Sequence, residues 1–354
     1  MDVAIIANFI PDSFFGGFEE NQAWVLWLVV VGAIALLAIG ADRLVSAAVC
    51  LASVLGMSKV LIGATVVSLG TTTPEAFTSV TAAFEGEPGL ALGNGIGSII
   101  CDTGLIFGLA ALIRRLPVDR RVQNRHGRLQ LLAGVLLAAV VGVLAISSGR
   151  IDNLFIPRWV GFGFVGLLVG YLWMSVRWAK QFPDMVPDEV KEVPAPKAKP
   201  KAVVVNLLVL VAGLALVVLG SNLLIGSAKV LCHKYGVPQS ILAATLVAFG
   251  TSLPELVTAM ASLIKGHADL LIGNIMGADI LNVLFVVGAS SAAAELKVER
   301  PVLLLLLPAM MIVLILLRVF VTTSRDRMCR WHGGVLVATY IAYVAAMVTF
   351  GLTM

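Results

Sequence analysis

Glu75, Asp102 and Glu255 each sit inside a long apolar run of the chain. An ionised carboxylate at the centre of a membrane helix costs about 2.5–3.5 kcal/mol on insertion scales, so three of them need a purpose. Arg43 is the basic residue well inside an apolar run, and one arginine cannot balance three acids. Two of the acids close the same turn, GTTTPE at 70–75 and GTSLPE at 250–255. Pro74 and Pro254 lack the backbone donor and clash with the preceding turn, so the helix must open around 70–74 and 250–254. Inside a bilayer the freed carbonyls survive only where they line a cavity or meet an ion. Carbonyls, carboxylates and the hydroxyls of Thr71, Thr72, Thr251 and Ser252 together make the ligand set of a hard cation.

The helices that follow must deliver the third acid. Residues 94, 98 and 102 lie four apart and share one helix face, as do Asn274, Ala278 and Asn282. Gly93, Gly97, Gly273 and Gly277 have the small-residue spacing that lets membrane helices approach closely. Such an approach brings Asn94, Ser98 and Asp102 near the first bend, and the two faces close one central site. For Asn94 and Asn274 two roles stand open: contact with the ion, or hydrogen bonds to the broken backbone.

These pieces occur twice because residues 40–108 recur as 220–288 without a gap. Gly40 matches Gly220, Gly56 Gly236, Thr65 Thr245, Gly86 Gly266 and Asn94 Asn274, while Asp102 falls opposite Asn282. A repeat of this kind marks a duplicated fold. A mean hydropathy of +0.99, with 59% hydrophobic and 13% charged residues, places the chain in the integral membrane class. Apolar stretches long enough to cross a bilayer of about 30 Å read near 23–50, 60–84, 89–112, 129–147 and 157–176, then 203–228, 239–264, 269–293, 301–321 and 332–353. The expected fold is all-α, with ten transmembrane helices. Five per half is odd, so the second half enters from the opposite side as an inverted-topology repeat.

The expected organisation is an external lead-in over 1–21, a first five-helix repeat over 22–177, a cytoplasmic linker over 178–202 rich in Pro, Lys and acids, and a second repeat over 203–354. Arginines and lysines concentrate after spans three, five and nine, for example Arg114, Arg115, Arg120, Lys197, Lys199, Arg325 and Arg327. That bias puts those loops in the cytoplasm and both termini outside. It also explains the net charge of +4 without a nucleic-acid partner; membrane lipid is the expected surroundings. The lead-in has no basic region ahead of an apolar stretch, so no cleaved secretory signal is expected. Cys50, Cys101, Cys232 and Cys329 show no metal or redox spacing and read as packing residues. Asp42 and Arg43, adjacent in the first helix, are expected to pair as an anchor at one end.

The motifs GTTTPE with GNGIGSIICD (93–102) and GTSLPE with GNIMGADILN (273–282) resemble those of the calcium/cation antiporter superfamily, and most closely its sodium/calcium exchanger branch. The resemblance covers both repeats. It implies four cation sites near the midplane, formed by the second, third, seventh and eighth helices, with calcium and sodium as transported ions and no cofactor. It further implies that Glu75 and Glu255 bind calcium directly with the backbone carbonyls of Thr71 and Thr251. Ser68, Thr72, Ser98, Ala248 and Ser252 would contribute to flanking sodium sites, and Asp102 with Asn282 would complete the middle one.

Three departures from the family pattern bear on the ions. Ala278 stands where a serine hydroxyl usually helps hold a sodium, Ile99 replaces a frequent asparagine, and the extra carboxylate is Asp102 in the first repeat rather than in the second. Three sodium ions neutralise three carboxylates, whereas one calcium leaves a charge that a proton on Asp102 would cancel, so protons are expected to compete at low pH. Calcium/proton exchange, potassium-dependent exchange and transport of another divalent ion are the alternatives. An enzyme is disfavoured because His126, His233, His267 and His332 fall at span ends or loops. A channel is disfavoured because buried acids that hold ions tightly suit a carrier better than a pore. One chain contains every expected ligand, so a monomer suffices. Its simplicity suggests a prokaryotic plasma membrane.

Overall fold

The computed structural model describes residues 23–84, 86, 88–118, 123–148, 154–181, 200–234, 248–324 and 326–353. Helix α1 is Ala23–Leu55. Gly56, at φ +62°, closes the next turn, and the Ser58 hydroxyl caps the following helix by accepting from Leu61 N–H. Helix α2, Lys59–Thr71, then meets α3, Thr73–Phe84, at a bend of 41°. Helix α4 spans Pro88–Ile113. Helix α5, Arg128–Ser148, follows one wide i→i+5 turn over Gln123–Gly127, and α6 is Arg158–Gln181. The second half begins with α7, Pro200–Lys234, followed by α8, Ala248–Thr251, and α9, Leu253–Ile264. Helix α10 spans Ala268–Ala293, α11 spans Val302–Thr323, and α12 is Arg330–Thr353.

Among the described residues eight helices are long and apolar enough to cross a membrane, or nine when α2 and α3 count as one broken span. Helix α9 is a shorter apolar helix. The start of its expected span, 239–247, lies outside the described residues, as do the lead-in and residues 182–199 of the expected linker. Helices α6 and α7 extend into that linker, to Gln181 and from Pro200.

Helices α4 and α10 form the centre. About four-fifths of the apolar window of α4 and nearly all of that of α10 are buried, 78% and 94%, against 28% for α1 and 17% for α7. The outer pair, α1 and α7, cross on small residues. A Cβ on Gly40 would lie 2.8 Å from Gly213 O, and one on Gly220 would lie 2.9 Å from Ala33 O. Shifting the first contact by 180 residues produces the second, so this crossing is reciprocal between the halves.

The fold is not purely helical. Leu154–Ile156 (β1) pairs antiparallel with Leu296–Val298 (β2), Leu154 opposite Val298. Each is three residues long with a buried–exposed–buried pattern, too short for the alternation to register as a strand in the sequence. On other loops, Val118 N–H donates to Asp326 O at 2.8 Å and Met328 N–H to Leu116 O at 2.9 Å. These pairings put the loop after α4 beside the loop before α12, and the loop after α5 beside the loop after α10.

The expected Asp42–Arg43 pair does not form. Neighbours one apart on a helix point in different directions, and Asp42 instead pairs with Lys265 Nζ at 2.7 Å. Lys265 Nζ also donates to Ser46 Oγ and to Asp42 O, so the end of α9 is tied to the middle of α1. Beside it, Lys59 Nζ donates to His267 Nδ1 at 3.3 Å. Burial, then the charges of Lys59 and Lys265, hold His267 below the usual histidine range and keep that nitrogen an acceptor. Both partners of the ion pair are partly exposed, so Lys265→Met is expected to leave stability nearly unchanged. Thermal melting of the variant, together with crosslinking between α1 and α9, checks this: melting should hold while the crosslinking rate changes.

Candidate cation site

Pro74 and Pro254 act locally as their chemistry requires. The break residues Thr72 and Ser252 take φ/ψ of −82°/−6° and −85°/10°, the sparsely allowed bridge region often used at functional sites. Just beyond each break, Glu75 and Glu255 stand in the first turns of α3 and α9, each 1% exposed. The two carboxyl groups lie side by side. Glu255 Oε1 accepts from Thr72 Oγ1 at 3.4 Å, with Thr71 also against it.

The two halves close on each other by one exchanged bond. Thr71 Oγ1 donates to Asn274 Oδ1 at 3.5 Å, and Thr251 Oγ1 donates to Asn94 Oδ1 at 3.2 Å. Under the 180-residue offset these are the same bond, made in both directions across the centre. Asn94 also donates through Nδ2 to Ser79 Oγ at 2.9 Å and to Glu75 O at 3.4 Å. Asn94 therefore braces the broken helix, the second of its two open roles.

Helices α4 and α10 reach the centre through matching irregularities. In α4 the backbone widens to i→i+5 bonding over Cys101–Phe107, and in α10 over Asn282–Val287. Such wide turns cluster at functional sites, and here the first two residues of one include Asp102 and the other begins at its counterpart Asn282. Asn282 Nδ2 donates to Asp102 Oδ2 at 3.5 Å, and Ser252 faces the same carboxylate.

Close helix contact makes this convergence possible. A Cβ on Gly273 would fall 2.1 Å from Val60 O, and one on Gly277 would fall 2.5 Å from Ser68 Oγ and 2.6 Å from Ala64 O. Backbone thus lies on backbone where α10 crosses α2. Gly93 meets only the Leu306 side chain, at 3.9 Å, and Gly97 nothing within 4 Å, among the described residues; their counterpart contact would fall on 240–244, outside them.

The site is rich in buried oxygens without hydrogen-bond donors: both Glu75 carboxylate oxygens, Glu255 Oε2, Asp102 Oδ1 and Asn282 Oδ1, with the unpartnered hydroxyls of Ser98 and Ser252. Buried polar atoms normally find partners, and a concentration of orphaned acceptors is what a desolvated cation satisfies. Among the described residues no three His, Cys, Asp or Glu groups converge tightly enough to hold a metal ion by themselves, so hydroxyls, amides and carbonyls must complete any coordination. Ser68 lies buried on α2, facing Gly277. Ala248 begins α8.

The site region contains a fourth buried acid. Asp279, 1% exposed on α10, accepts at Oδ2 from Thr103 Oγ1 and Gln130 Nε2. Its signal was its place in an apolar span; its repeat counterpart, Ile99, is apolar, so the repeat does not point to it. Gln130 carried no signal.

The model of the family described as sodium/calcium exchanger protein matches residues 25–177 and 205–349. An uncharacterized membrane protein of Methanocaldococcus jannaschii is 31% identical, covering 88% of this chain and 94% of its own length. The sodium/calcium exchanger MaX1 of Methanosarcina acetivorans is 25% identical over 91% of this chain and 98% of its own. A structure of the sodium-calcium exchanger NCX_Mj, soaked with Na+ and Sr2+, aligns with a TM-score of 0.76 at 29% identity, covering 91% of this chain and 99% of that one. With bent helices, buried acids and both halves matched, the chain belongs to the sodium/calcium exchanger family of membrane antiporters, a family of transporters and not of enzymes.

Proposed function

We propose that the chain is a secondary antiporter that exchanges sodium for calcium by alternating access. Its ions bind at Glu75, Glu255, Asp102 and Asn282, at the carbonyls of Thr71 and Thr251, and at Thr72, Ser252, Ser98, Ser68 and the Ala248 backbone. The observation that carries this reading is the set of orphaned oxygens enclosed by the reciprocal Thr71–Asn274 and Thr251–Asn94 bonds. Two glutamates with neutral oxygens suit a divalent hard cation, and the same oxygens divide among monovalent ones.

The ten-helix, two-repeat inverted architecture, with 22–177 and 203–354 as the halves and 178–202 as a cytoplasmic linker, belongs to the same proposal. In its support, the paired loops β1–β2 and 116–118 with 326–328 join connections that this topology assigns to the same side. Both termini then face outward from a prokaryotic plasma membrane, and one chain suffices. Helices α1 and α7, which cross on glycines and stay largely outside the core, move against the bundle that holds the site.

If three sodium ions enter per calcium expelled, a tenfold sodium gradient supplies about 1.4 kcal/mol per ion and the net inward charge about 2.3 kcal/mol per 100 mV, together about 6.5 kcal/mol. That sustains a calcium gradient between roughly ten-thousand- and hundred-thousand-fold. A potassium diffusion potential imposed on proteoliposomes tests this charge movement. A negative interior should accelerate sodium-driven calcium exit, and a rate indifferent to voltage would refute the three-to-one cycle.

Ala278 sets the second expectation. Restoring a hydroxyl with Ala278→Ser adds one oxygen ligand worth about 0.5–1.5 kcal/mol. It should lower half-saturating sodium by roughly two- to tenfold, read from sodium-dependent calcium release.

A further inference from the structure

Asp279 lies outside the ligand set of the central site. Its Oδ2 is 2.5 Å from both Thr103 Oγ1 and Gln130 Nε2, and those two partners are 3.3 Å apart. The three residues come from three helices, α10, α4 and α5, and all are buried: Asp279 at 1%, Thr103 at 0% and Gln130 at 4% exposed. The other carboxylate oxygen, Oδ1, has no hydrogen-bond partner.

Both hydrogen-bond partners of this acid are neutral. The elements packed on α10 carry Glu75 on α3, Glu255 on α9, Cys101 and Asp102 on α4, Lys59 on α2, Arg128 on α5, Arg125 and His126 in the turn before α5, and Arg158, Tyr171 and Arg177 on α6. The hydrogen-bond partners of Asp279 Oδ2 are Thr103 and Gln130, and Oδ1 accepts no hydrogen bond among the described residues. Neutral donors on one oxygen soften a buried negative charge without cancelling it. One positive charge cancels it, and a single carboxylate with a hydroxyl and an amide gives oxygen ligands for one monovalent ion, not for a second divalent one. The amide of Gln130 can turn its carbonyl oxygen inward, since its two ends are interchangeable in outline.

We propose that Asp279, Thr103 and Gln130 form a separate monovalent-cation site beside the central one, occupied by a single proton or a single sodium ion. The two sites are wired together. Thr103 follows Asp102 in the chain, and Asn282, which bonds Asp102, lies one turn beyond Asp279 on α10. With Ile99 opposite Asp279 in the repeat, the site exists once per chain. It raises the count of buried acids in the core from three to four and adds one charge to the transport cycle.

The test uses the purified full-length chain, free of calcium, titrated from acid to alkaline with and without sodium. Proton uptake per chain and thermal melting are both followed. Asp279→Asn keeps the shape of the side chain and should bind one monovalent ion fewer. A proton site predicts one proton fewer per chain. A sodium site predicts that half-saturating sodium for thermal stabilisation rises at least about tenfold, equivalent to about 1.4 kcal/mol. Thr103→Val and Gln130→Met, which keep the carboxylate, should weaken the same equivalent without deleting it. Unchanged proton count and sodium response in Asp279→Asn overturn the proposal. If that variant does not fold, unchanged responses in both partner variants overturn it instead. In a Glu255→Gln background, where the central site is disabled, the Asp279-dependent equivalent should persist, and its disappearance there would show that the site is not separate. No transported calcium enters the measurement, so its outcome is independent of the coupling ion.

Discussion

Glu255→Gln is expected to abolish calcium transport while leaving the protein folded. The carboxylate of Glu255 is buried beside that of Glu75; Oε1 accepts from Thr72 Oγ1, a bond that a glutamine oxygen can keep, and Oε2 lacks any donor, so the exchange removes a charge and need not remove a hydrogen bond. Removing one member of a buried charge–ion contact costs about 3–5 kcal/mol, a loss of roughly a hundred- to several-thousand-fold in calcium affinity. The calcium-free protein gains instead, because a neutral glutamine escapes the burial cost of about 2.5–3.5 kcal/mol attached to an intramembrane acid. Melting should therefore be unchanged or higher without calcium, and stabilisation by calcium should vanish. A structural acid would behave in the opposite way, with lower melting and calcium stabilisation retained. Glu75→Gln should repeat the pattern, since both Glu75 oxygens are unpartnered.

The second large effect lies in packing. Gly273→Ala is expected to disable transport and lower stability together. A Cβ there would sit 2.1 Å from Val60 O and 2.8 Å from Val60 C, and backbone cannot yield as a flexible side chain can. Overpacking a tight interior costs about 1–3 kcal/mol or more. Relief requires α10 to move off α2, which carries Asn274 away from Thr71 and opens the reciprocal closure. Gly166→Ala, at an exposed position of α6 with nothing within 4 Å among the described residues, is the control, and thermal melting with calcium binding on both variants checks the contrast.

The centre of this fold was legible because the sequence states it twice. Glycine, proline and acid recur at one offset, and the bends at Thr72 and Ser252 follow from missing proline donors. Other features left less trace. The wide turns at 101–107 and 282–287 arise from how helices seat against one another, which no local propensity encodes. The Lys265–Asp42 pair joins residues far apart in sequence, whereas Arg43 was the obvious neighbour. Asp279 stood in plain view within GNIMGADILN, but it lacks a repeat counterpart, and its partner Gln130 is a polar residue on an otherwise apolar helix.

Radioactive calcium uptake into proteoliposomes loaded with sodium, with potassium or with an acid interior tests the central claim most directly. Sodium/calcium exchange predicts rapid uptake only with internal sodium, absent in Glu255→Gln. Uptake driven by the acid interior alone, with sodium without effect, would contradict it and identify the proton as the coupling ion.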